Sequence, residues 1–272
     1  MELDKWTVWM KAQGLSSRTI GERLNTIRHL LTHASTDPLA LTPEHIQAYL
    51  ARDMSASTRA TYHASIRAFT AWMQRTGIRE DNPSDQTPRP KRPKSRPRPV
   101  EGTQLAALLV AANRKRTLTY ILLGAMAGLR VHEIAKIRGE DIDPYTGVLT
   151  VVGKGGKVAA IPLHERLIQE AKDYPTHGYW FPAYGKQSAR PHIASHAVSA
   201  AISKAMERAG FTGKPHQLRH FYGTELVRAG VNLRIVQTLM RHESPATTAI
   251  YTRVDVDQMR DGIALLALPK GA

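Results

Sequence analysis

Residues 84–102 read SDQTPRPKRPKSRPRPVEG, and this stretch divides the 272-residue chain into two parts. Five prolines between positions 88 and 99 exclude a regular helix or a central strand, so the segment is predicted to be extended and semi-rigid. Six basic residues lie between Asp85 and Glu101 with no acidic residue among them. We expect a linker at 85–102 that also lies along a phosphate backbone. Its candidate phosphate contacts are Arg89, Lys91, Arg92, Lys94, Arg96 and Arg98.

The charge of the whole chain points to the same kind of partner. The 38 Lys and Arg against 23 Asp and Glu give a formal net charge of +15 at pH 7. Residues 1–99 carry 16 basic and 9 acidic residues, and the remainder carries 22 and 14, so both parts are basic. Such an excess favours a polyanion, and an aromatic content of 6% argues against single-strand binding by base stacking. The absence of cysteine excludes disulfides, thiol nucleophiles and Cys-based zinc sites.

Ahead of the linker, residues 1–84 show helical periodicity. Apolar residues recur at helical spacing after three candidate N-cap positions, at Ser17, at Thr42 before Pro43, and at Ser57 or Thr58. The pattern predicts a bundle of about four helices. Because it begins almost at residue 1, neither a signal peptide nor a further N-terminal domain is expected.

Residues 103–272 mix helices with a small sheet. Thr103–Ala112 and Leu118–Ile137 are predicted as helices. The β-branched runs Val148–Val152 and Val158–Ile161 flank a glycine-rich turn, which predicts a β-hairpin. The fold class is therefore mainly α (α+β) with a small antiparallel sheet. Further helical patterns cover His196–Ala209, His216–Ala229, Leu233–Met240, Pro245–Tyr251 and Val256–Leu268.

The candidate nucleotide-binding and metal-binding motifs lack residues that such sites require. GKGGK at 153–157 lacks the spacing and the trailing Ser or Thr of a phosphate-binding P-loop. Three His pairs have i,i+4 spacing, but none carries the Glu of a zinc protease, and carboxylates do not cluster as a two-metal nuclease requires. No cofactor and no metal are expected.

A different set of residues contains what phosphoryl transfer needs without a metal. Two arginines and an imidazole can neutralise a pentacoordinate phosphate, a phenol can attack it, and a lysine can protonate the departing oxygen. Arg130 and Glu133, within GLRVHE at 128–133, have the spacing of one helix face. In chain order the set is Arg130, Glu133, Lys154, His216, Arg219, His242 and Tyr251.

The order of these motifs resembles the tyrosine recombinase (phage integrase) family, Xer-type recombinases included, over nearly the whole chain. The family pattern of GLRxxE, a lysine in a GKG hairpin turn, an HxLRH box, a further His and a tyrosine nucleophile is matched in that order. The resemblance implies a helical core-binding (SAM-like) DNA-binding domain at 1–84, the linker at 85–102, and a catalytic domain with a C-terminal tail at 103–272.

The resemblance also implies the chemical roles. Tyr251 is expected to attack a DNA phosphodiester and to form a 3′-phosphotyrosyl link. Arg130 and Arg219 are expected to bind the non-bridging oxygens, and Lys154 is expected to protonate the 5′-oxygen.

The remaining residues have supporting roles by the same resemblance. His216 is expected to act as the base or orienting group for the nucleophile, and His242 to hydrogen-bond the scissile phosphate. Glu133 is expected to buttress Arg130 or His216, with an ordinary helix salt bridge as the alternative. Arg241 precedes His242 where the family usually has Gly, so we expect a turn that tolerates Arg and an auxiliary phosphate contact from Arg241.

The partners implied are double-stranded DNA recombination sites and further copies of the chain, as a dimer on one site and a tetramer in synapsis. An accessory directionality factor is a further expected partner, and no membrane is. The tail Asp255–Leu268 is expected to dock on an adjacent protomer, with packing on its own domain as the alternative.

The favoured role is integration and excision of a phage or mobile element, in the bacterial cytoplasm or from a phage in its host. Three alternatives stay open: a Xer-like chromosome or plasmid dimer resolvase, a type IB topoisomerase, and a non-catalytic DNA-binding regulator.

Overall fold

The computed structural model describes residues 2–91, 99–153, 156, 158–183, 190–241 and 256–267. The chain divides into two compact units, Met1–Arg96 and Pro97–Ala272, and each has its own hydrophobic core. In its described residues the first unit is helical, and the second adds a three-stranded antiparallel sheet to its helices. The predicted fold class is confirmed. Over the described residues, no helix combines the length and hydropathy needed to cross a bilayer.

The described residues of the first unit form four α-helices. A serine or threonine hydroxyl caps three of them by accepting a backbone N–H, and Thr42 does so as predicted. The other two caps are Ser16 and Ser55, which accept the N–H groups of the residues three positions on at 3.2 and 3.1 Å. These helices therefore begin slightly earlier than expected. The bounds are α1 (Glu2–Ala12), α2 (Ser17–Ala34), α3 (Pro43–Ala51) and α4 (Ala56–Arg75).

The start of the expected linker folds back onto this unit. Pro83–Gln86 forms a 3₁₀ turn, and the buried Thr70 hydroxyl of α4 donates to Ser84 Oγ at 2.9 Å. Thr87 is also buried and lies 3.3 Å from the His63 ring nitrogen. Thr87 is thus packed against α4, while Asp85, Gln86, Arg89 and Lys91 are exposed.

The second unit surrounds a small sheet with helices. Its strands are β1 (Ile142–Asp143), β2 (Val148–Val152) and β3 (Val158–Pro162), in the order β1-β2-β3 with Leu149 opposite Ile161. The predicted hairpin is confirmed, whereas β1 and α8 were not predicted because both are very short. The helices are α5 (Gly102–Ala111), α6 (Lys115–Met126), α7 (Val131–Ile134), α8 (Glu165–Ala171), α9 (Ser195–Arg208), α10 (His216–Arg228), α11 (Leu233–Met240) and α12 (Val256–Ala264).

Helix α6 is the centre of this unit. Its residues from Thr119 to Met126 are all buried, which explains the apolar stretch in the sequence. Gly124 lets α10 approach closely, because a Cβ placed there would lie 3.1 Å from the Leu218 Cβ. This contact brings the HxLRH segment of α10 against the end of α6.

The prediction of one continuous helix from Leu118 to Ile137 was wrong. Helix α6 ends at Met126, and Gly128 follows with φ +59° in the left-handed region. Only glycine fits there, because an added Cβ would lie 2.5 Å from a ring carbon of Tyr222. The chain then turns into the short helix α7, and Arg130 precedes that helix in an extended conformation. Arg130 and Glu133 therefore do not share a helix face; Arg130 is the N-cap residue.

Helix α12 packs within its own unit in the single chain. Met259, Ile263 and Leu266 are buried in the main core cluster. The Leu266 carbonyl lies 3.0 Å from His164 Nε2, beside the N-terminus of α8. Docking of this segment on an adjacent protomer stays a prediction. The helix expected over Pro245–Tyr251 lies outside the described residues.

Gly128→Ala is expected to destabilise the second unit by about 3 kcal/mol, since it adds a backbone penalty to a clash with the Tyr222 ring. Gly230→Ala is the matched control, because Gly230 has φ +81° but open space where a Cβ would stand. Its cost should be about 1 kcal/mol. Urea unfolding measures both, and equal losses would contradict the close packing described at Gly128.

Candidate active site

The turn after α6 holds the first pair of candidate residues. The Arg130 backbone N–H donates to Glu133 Oε2 at 2.8 Å, and its Nη1 donates to Oε1 at 3.0 Å. The Glu133 side chain is 1% exposed, whereas that of Arg130 is 29% exposed. Glu133 thus caps α7 and orients the Arg130 guanidinium, which still reaches the surface. Of the roles expected for Glu133, support of Arg130 agrees with this geometry.

Arg219 approaches the same turn from α10. It is one of the largest fully buried side chains in the described residues, and its Nη1 donates to the Gly128 carbonyl. Its Nη2 has no hydrogen-bond partner among the described residues. Burial, reinforced by the positive charges of Arg130 and Arg241, lowers the pKa of Arg219 to about 9. The group remains protonated at neutral pH, in a place that an anion would stabilise.

His216 begins α10 one turn before His220. The two imidazole rings meet edge to face, with 4.5 Å between their centroids. Burial and the adjacent Arg219 charge lower the pKa of His220, so its ring is neutral at pH 7. His216 therefore lies on the same helix as Arg219, one turn from the neutral imidazole of His220.

Arg241 enters the site from the end of α11. It ends α11 with φ 49° and ψ 48°, and its guanidinium turns inward. Its Nη2 donates to Glu133 Oε2 at 2.9 Å and to the Gly128 carbonyl at 3.1 Å. Arg130 Nη2 lies 3.4 Å from the Arg241 carbonyl oxygen. The turn tolerates Arg as expected, while a direct phosphate contact from this residue stays a prediction.

Arg130 and Arg241 thus pair with one buried carboxylate, and Arg219 lies close to both, so the three guanidiniums and Glu133 carry a local charge of +2. Burial opposes the ionisation of Glu133, but Arg241 and Arg130 outweigh it and hold the pKa of Glu133 below its usual value of 4.5. Tyr222 packs beside the same group, and burial raises the pKa of its phenol. Tyr222 is therefore a neutral core residue.

A cleft of 370 Å³ links this cluster to the hairpin. It is lined by Glu133, Lys136 and Arg138 on one side and by β2 through to Gly153 on the other. Gly153 immediately precedes Lys154. Strand β2, which leads to the turn expected to supply the general acid, therefore lines the cleft as far as Gly153.

Several predicted site residues lie outside the described residues. Within the catalytic set these are Lys154, His242 and Tyr251. In the linker they are Arg92, Lys94, Arg96 and Arg98. Their assignments stay predictions. Within the described part of the chain, no group of three His, Cys, Asp or Glu side chains is placed to hold a metal ion.

Comparisons with known proteins identify the family of the chain. The profile of the phage integrase family matches residues 99–258. Tyrosine recombinase XerD of Yersinia pestis is 31% identical over 257 residues, covering 85% of this chain and 83% of that protein. Among solved structures, the integrase from mycobacterium phage Brujita is 44% identical, with a TM-score of 0.59 and coverage of 97% and 92%. A lambda integrase (75–356) dimer bound to a COC′ core site is 20% identical with a TM-score of 0.72, covering 93% and 98%.

Glu133→Gln should destabilise the protein by about 2 kcal/mol at pH 7, because it removes the negative partner of two arginines. A carboxylate whose folded pKa is lowered stabilises the fold above its unfolded pKa, and that contribution is lost as the pH falls. The wild type should therefore lose stability below about pH 4.5 more steeply than the variant does.

Urea unfolding at a series of pH values measures this difference. Glu225→Gln is the matched control, since Glu225 pairs with Arg228 at the surface. It should cost less than about 0.5 kcal/mol. Identical pH profiles for wild type and Glu133→Gln would show that Glu133 carries no net charge-pair stabilisation.

Proposed function

Because the chain belongs to the phage integrase family, we propose that it is a site-specific DNA recombinase that cleaves and rejoins duplex DNA. Tyr251 attacks the scissile phosphodiester, and the products of that step are a 3′-phosphotyrosyl link and a free 5′-hydroxyl. The covalent link conserves the energy of the phosphodiester, so resealing onto a 5′-hydroxyl of a partner strand needs no ATP.

The cluster of Arg130, Arg219 and Arg241 is the observation that supports this proposal most strongly. Arg219 is buried with one guanidinium nitrogen unsatisfied among the described residues, and Arg130 lies two residues beyond the carbonyl to which Arg219 donates. Burying a cation beside other cations is unfavourable unless a negative charge arrives. A scissile phosphate supplies that charge, and the charge it develops during attack is stabilised further.

Preorganisation is the second part of the argument. Both Glu133 oxygens hold Arg130, one through its backbone N–H and one through its guanidinium. The group therefore need not reorient when the pentacoordinate phosphate forms, which is the condition under which electrostatic catalysis is strongest. Two planar guanidiniums also suit the non-bridging oxygens, since each can donate two parallel hydrogen bonds.

The remaining roles rest on the order of the motifs and on the cleft. Lys154 protonates the departing 5′-oxygen from the hairpin turn that adjoins the cleft. His216 accepts the proton of the Tyr251 phenol or orients that phenol, and His242 hydrogen-bonds the scissile phosphate.

The protein binds DNA mainly through the phosphate groups of the backbone. The exposed Arg89 and Lys91 begin a basic run that continues through the linker, and the charge of +15 supports a large electrostatic contribution to affinity. The protein acts in the bacterial cytoplasm, where its DNA lies, as a dimer on each site and a tetramer when two sites synapse. An accessory factor sets the direction of the reaction.

Integration and excision of a phage or mobile element is the biological role we propose, supported by the 44% identity to a phage integrase. Dimer resolution of a chromosome or plasmid is the second candidate, supported by the XerD relatives. The two roles differ in the DNA that reacts. An integrase joins two unlike sites on separate molecules, whereas a resolvase recombines two like sites on one molecule.

Covalent trapping tests the chemistry. Duplex DNA that the protein selects from a random library is nicked at successive positions and incubated with the protein in EDTA without ATP. Wild type should give an SDS-resistant adduct, and Tyr251→Phe should give none. Strand-transfer products would then distinguish a recombinase from a type IB topoisomerase. An adduct with Tyr251→Phe, or tight salt-sensitive binding with no adduct for either protein, would overturn the proposal.

Arg219→Gln should lower the cleavage rate constant about 100-fold at saturating DNA, because one cationic donor to the transition state is lost. Arg228→Gln is the matched control on the same helix, since it removes an exposed arginine and a surface ion pair. Its rate should stay within about twofold of wild type. Single-turnover cleavage of the nicked duplex measures both, and equal rates for the two variants would contradict the role of Arg219.

A further inference from the structure

Arg241 occupies a backbone position that disfavours any side chain. Its φ of 49° lies in the left-handed region, and among the described non-glycine residues only Ser35 shares that sign. The left-handed conformation is less favourable than the right-handed one for any residue with a Cβ. An arginine placed here must make compensating contacts, since glycine would adopt the same turn without the penalty.

The compensating contacts all lie inside the candidate active site. The side chain is 9% exposed, and its Nη2 bridges Glu133 Oε2 and the Gly128 carbonyl. Its Nη1 also donates to the carbonyl of Leu239 at 3.2 Å, within its own helix. The guanidinium is therefore held by groups of two separate segments, the end of α11 and the turn between α6 and α7.

Each catalytic arginine is in contact with this bridge. Glu133 holds Arg130 and Arg241 together, and Arg130 also reaches the Arg241 carbonyl oxygen. The Gly128 carbonyl accepts from both Arg219 and Arg241. Removing the Arg241 side chain would leave Glu133 with a single cationic partner and Gly128 with one donor fewer.

We propose that Arg241 is a positioning residue, which holds Glu133 and the Gly128 carbonyl so that Arg130 and Arg219 are fixed for phosphate binding. This inference rests on the recombinase function proposed above. The geometry distinguishes it from a direct DNA contact, because the hydrogen-bonded nitrogens of Arg241 face protein acceptors and its Nε is buried. Arg241 thus acts through other residues instead of touching the reacting phosphate.

Two substitutions distinguish the effect of the backbone conformation at position 241 from the effect of the Arg241 side chain. Arg241→Gly suits the left-handed turn and removes the bridge, so the fold should be retained while the arginines lose support. Arg241→Lys keeps a positive charge that can pair with Glu133, but it lacks the second nitrogen that reaches Leu239. Thermal melting of each variant establishes the temperature at which all of them are folded, and kinetics are measured below it.

We expect Arg241→Gly to lower the cleavage rate while the affinity for DNA stays nearly unchanged. With the selected, nicked duplex, Arg241→Gly should cleave about 30-fold more slowly at saturating DNA while its Kd stays within about twofold. Arg241→Lys should recover part of the rate, to within about fivefold of wild type. Arg234→Gln, on the exposed face of α11, is the control for the loss of one positive charge and should match wild type.

A double-mutant cycle tests whether Arg241 acts through Glu133. In a Glu133→Gln background, Arg241→Gly should lower the rate further by no more than about threefold, because the partner is already lost. Full additivity, together with a weaker Kd and a salt dependence reduced by about one phosphate contact, would assign Arg241 to DNA instead. Wild-type cleavage by Arg241→Gly would show that the arginine is merely tolerated.

The two proposals fail in different ways. Absence of any Tyr251-dependent adduct with the wild-type protein would overturn the recombinase function itself. A normal adduct with unchanged cleavage in Arg241→Gly would overturn only the role of Arg241.

Discussion

A single buried carboxylate organises the catalytic unit. Glu133 caps α7, holds Arg130 through two hydrogen bonds and pairs with Arg241, which also reaches the carbonyl that Arg219 contacts. Three helix ends, those of α6, α7 and α11, and the first turns of α10 therefore meet at one point. Without the negative charge, three guanidiniums would face one another in a poorly solvated place, which is strongly unfavourable.

The same arrangement leaves the cluster with a net charge of +2. One carboxylate cannot balance three arginines, and burial already lowers the pKa of Arg219 to about 9. A folded protein tolerates such a site because the rest of its core supplies the stability, here chiefly helix α6, which is buried from Thr119 to Met126, and the helices packed on it. In the function proposed above, a phosphate that enters the cluster would offset the cost of the unbalanced charge, and this would link stability to function.

Much of this could be predicted from the sequence, because local chemistry decides it. The proline-rich basic run marked the division of the chain, β-branched residues around a glycine turn marked the hairpin, and Thr42 with Pro43 marked a helix start. The family could be recognised because its motifs occur in this chain in the family's order. Errors came where a distant group overrides local propensity. Helix α6 ends at Met126, and the turn after it needs glycine at position 128, where Tyr222, 94 positions along the chain, fills the space of a side chain.

The sequence by itself therefore determined the class of fold and the family, since these depend on residue type and spacing, while the identity of the reacting groups stays a prediction. Only the tertiary structure decided how the arginines are held. Arg241 directly follows a helix in the sequence. Its neighbours in the sequence do not indicate that its side chain turns inward and pairs with the Glu133 carboxylate, 108 positions away. Burial and long-range pairing are properties of the packed chain, so the roles that depend on them emerge only when it folds.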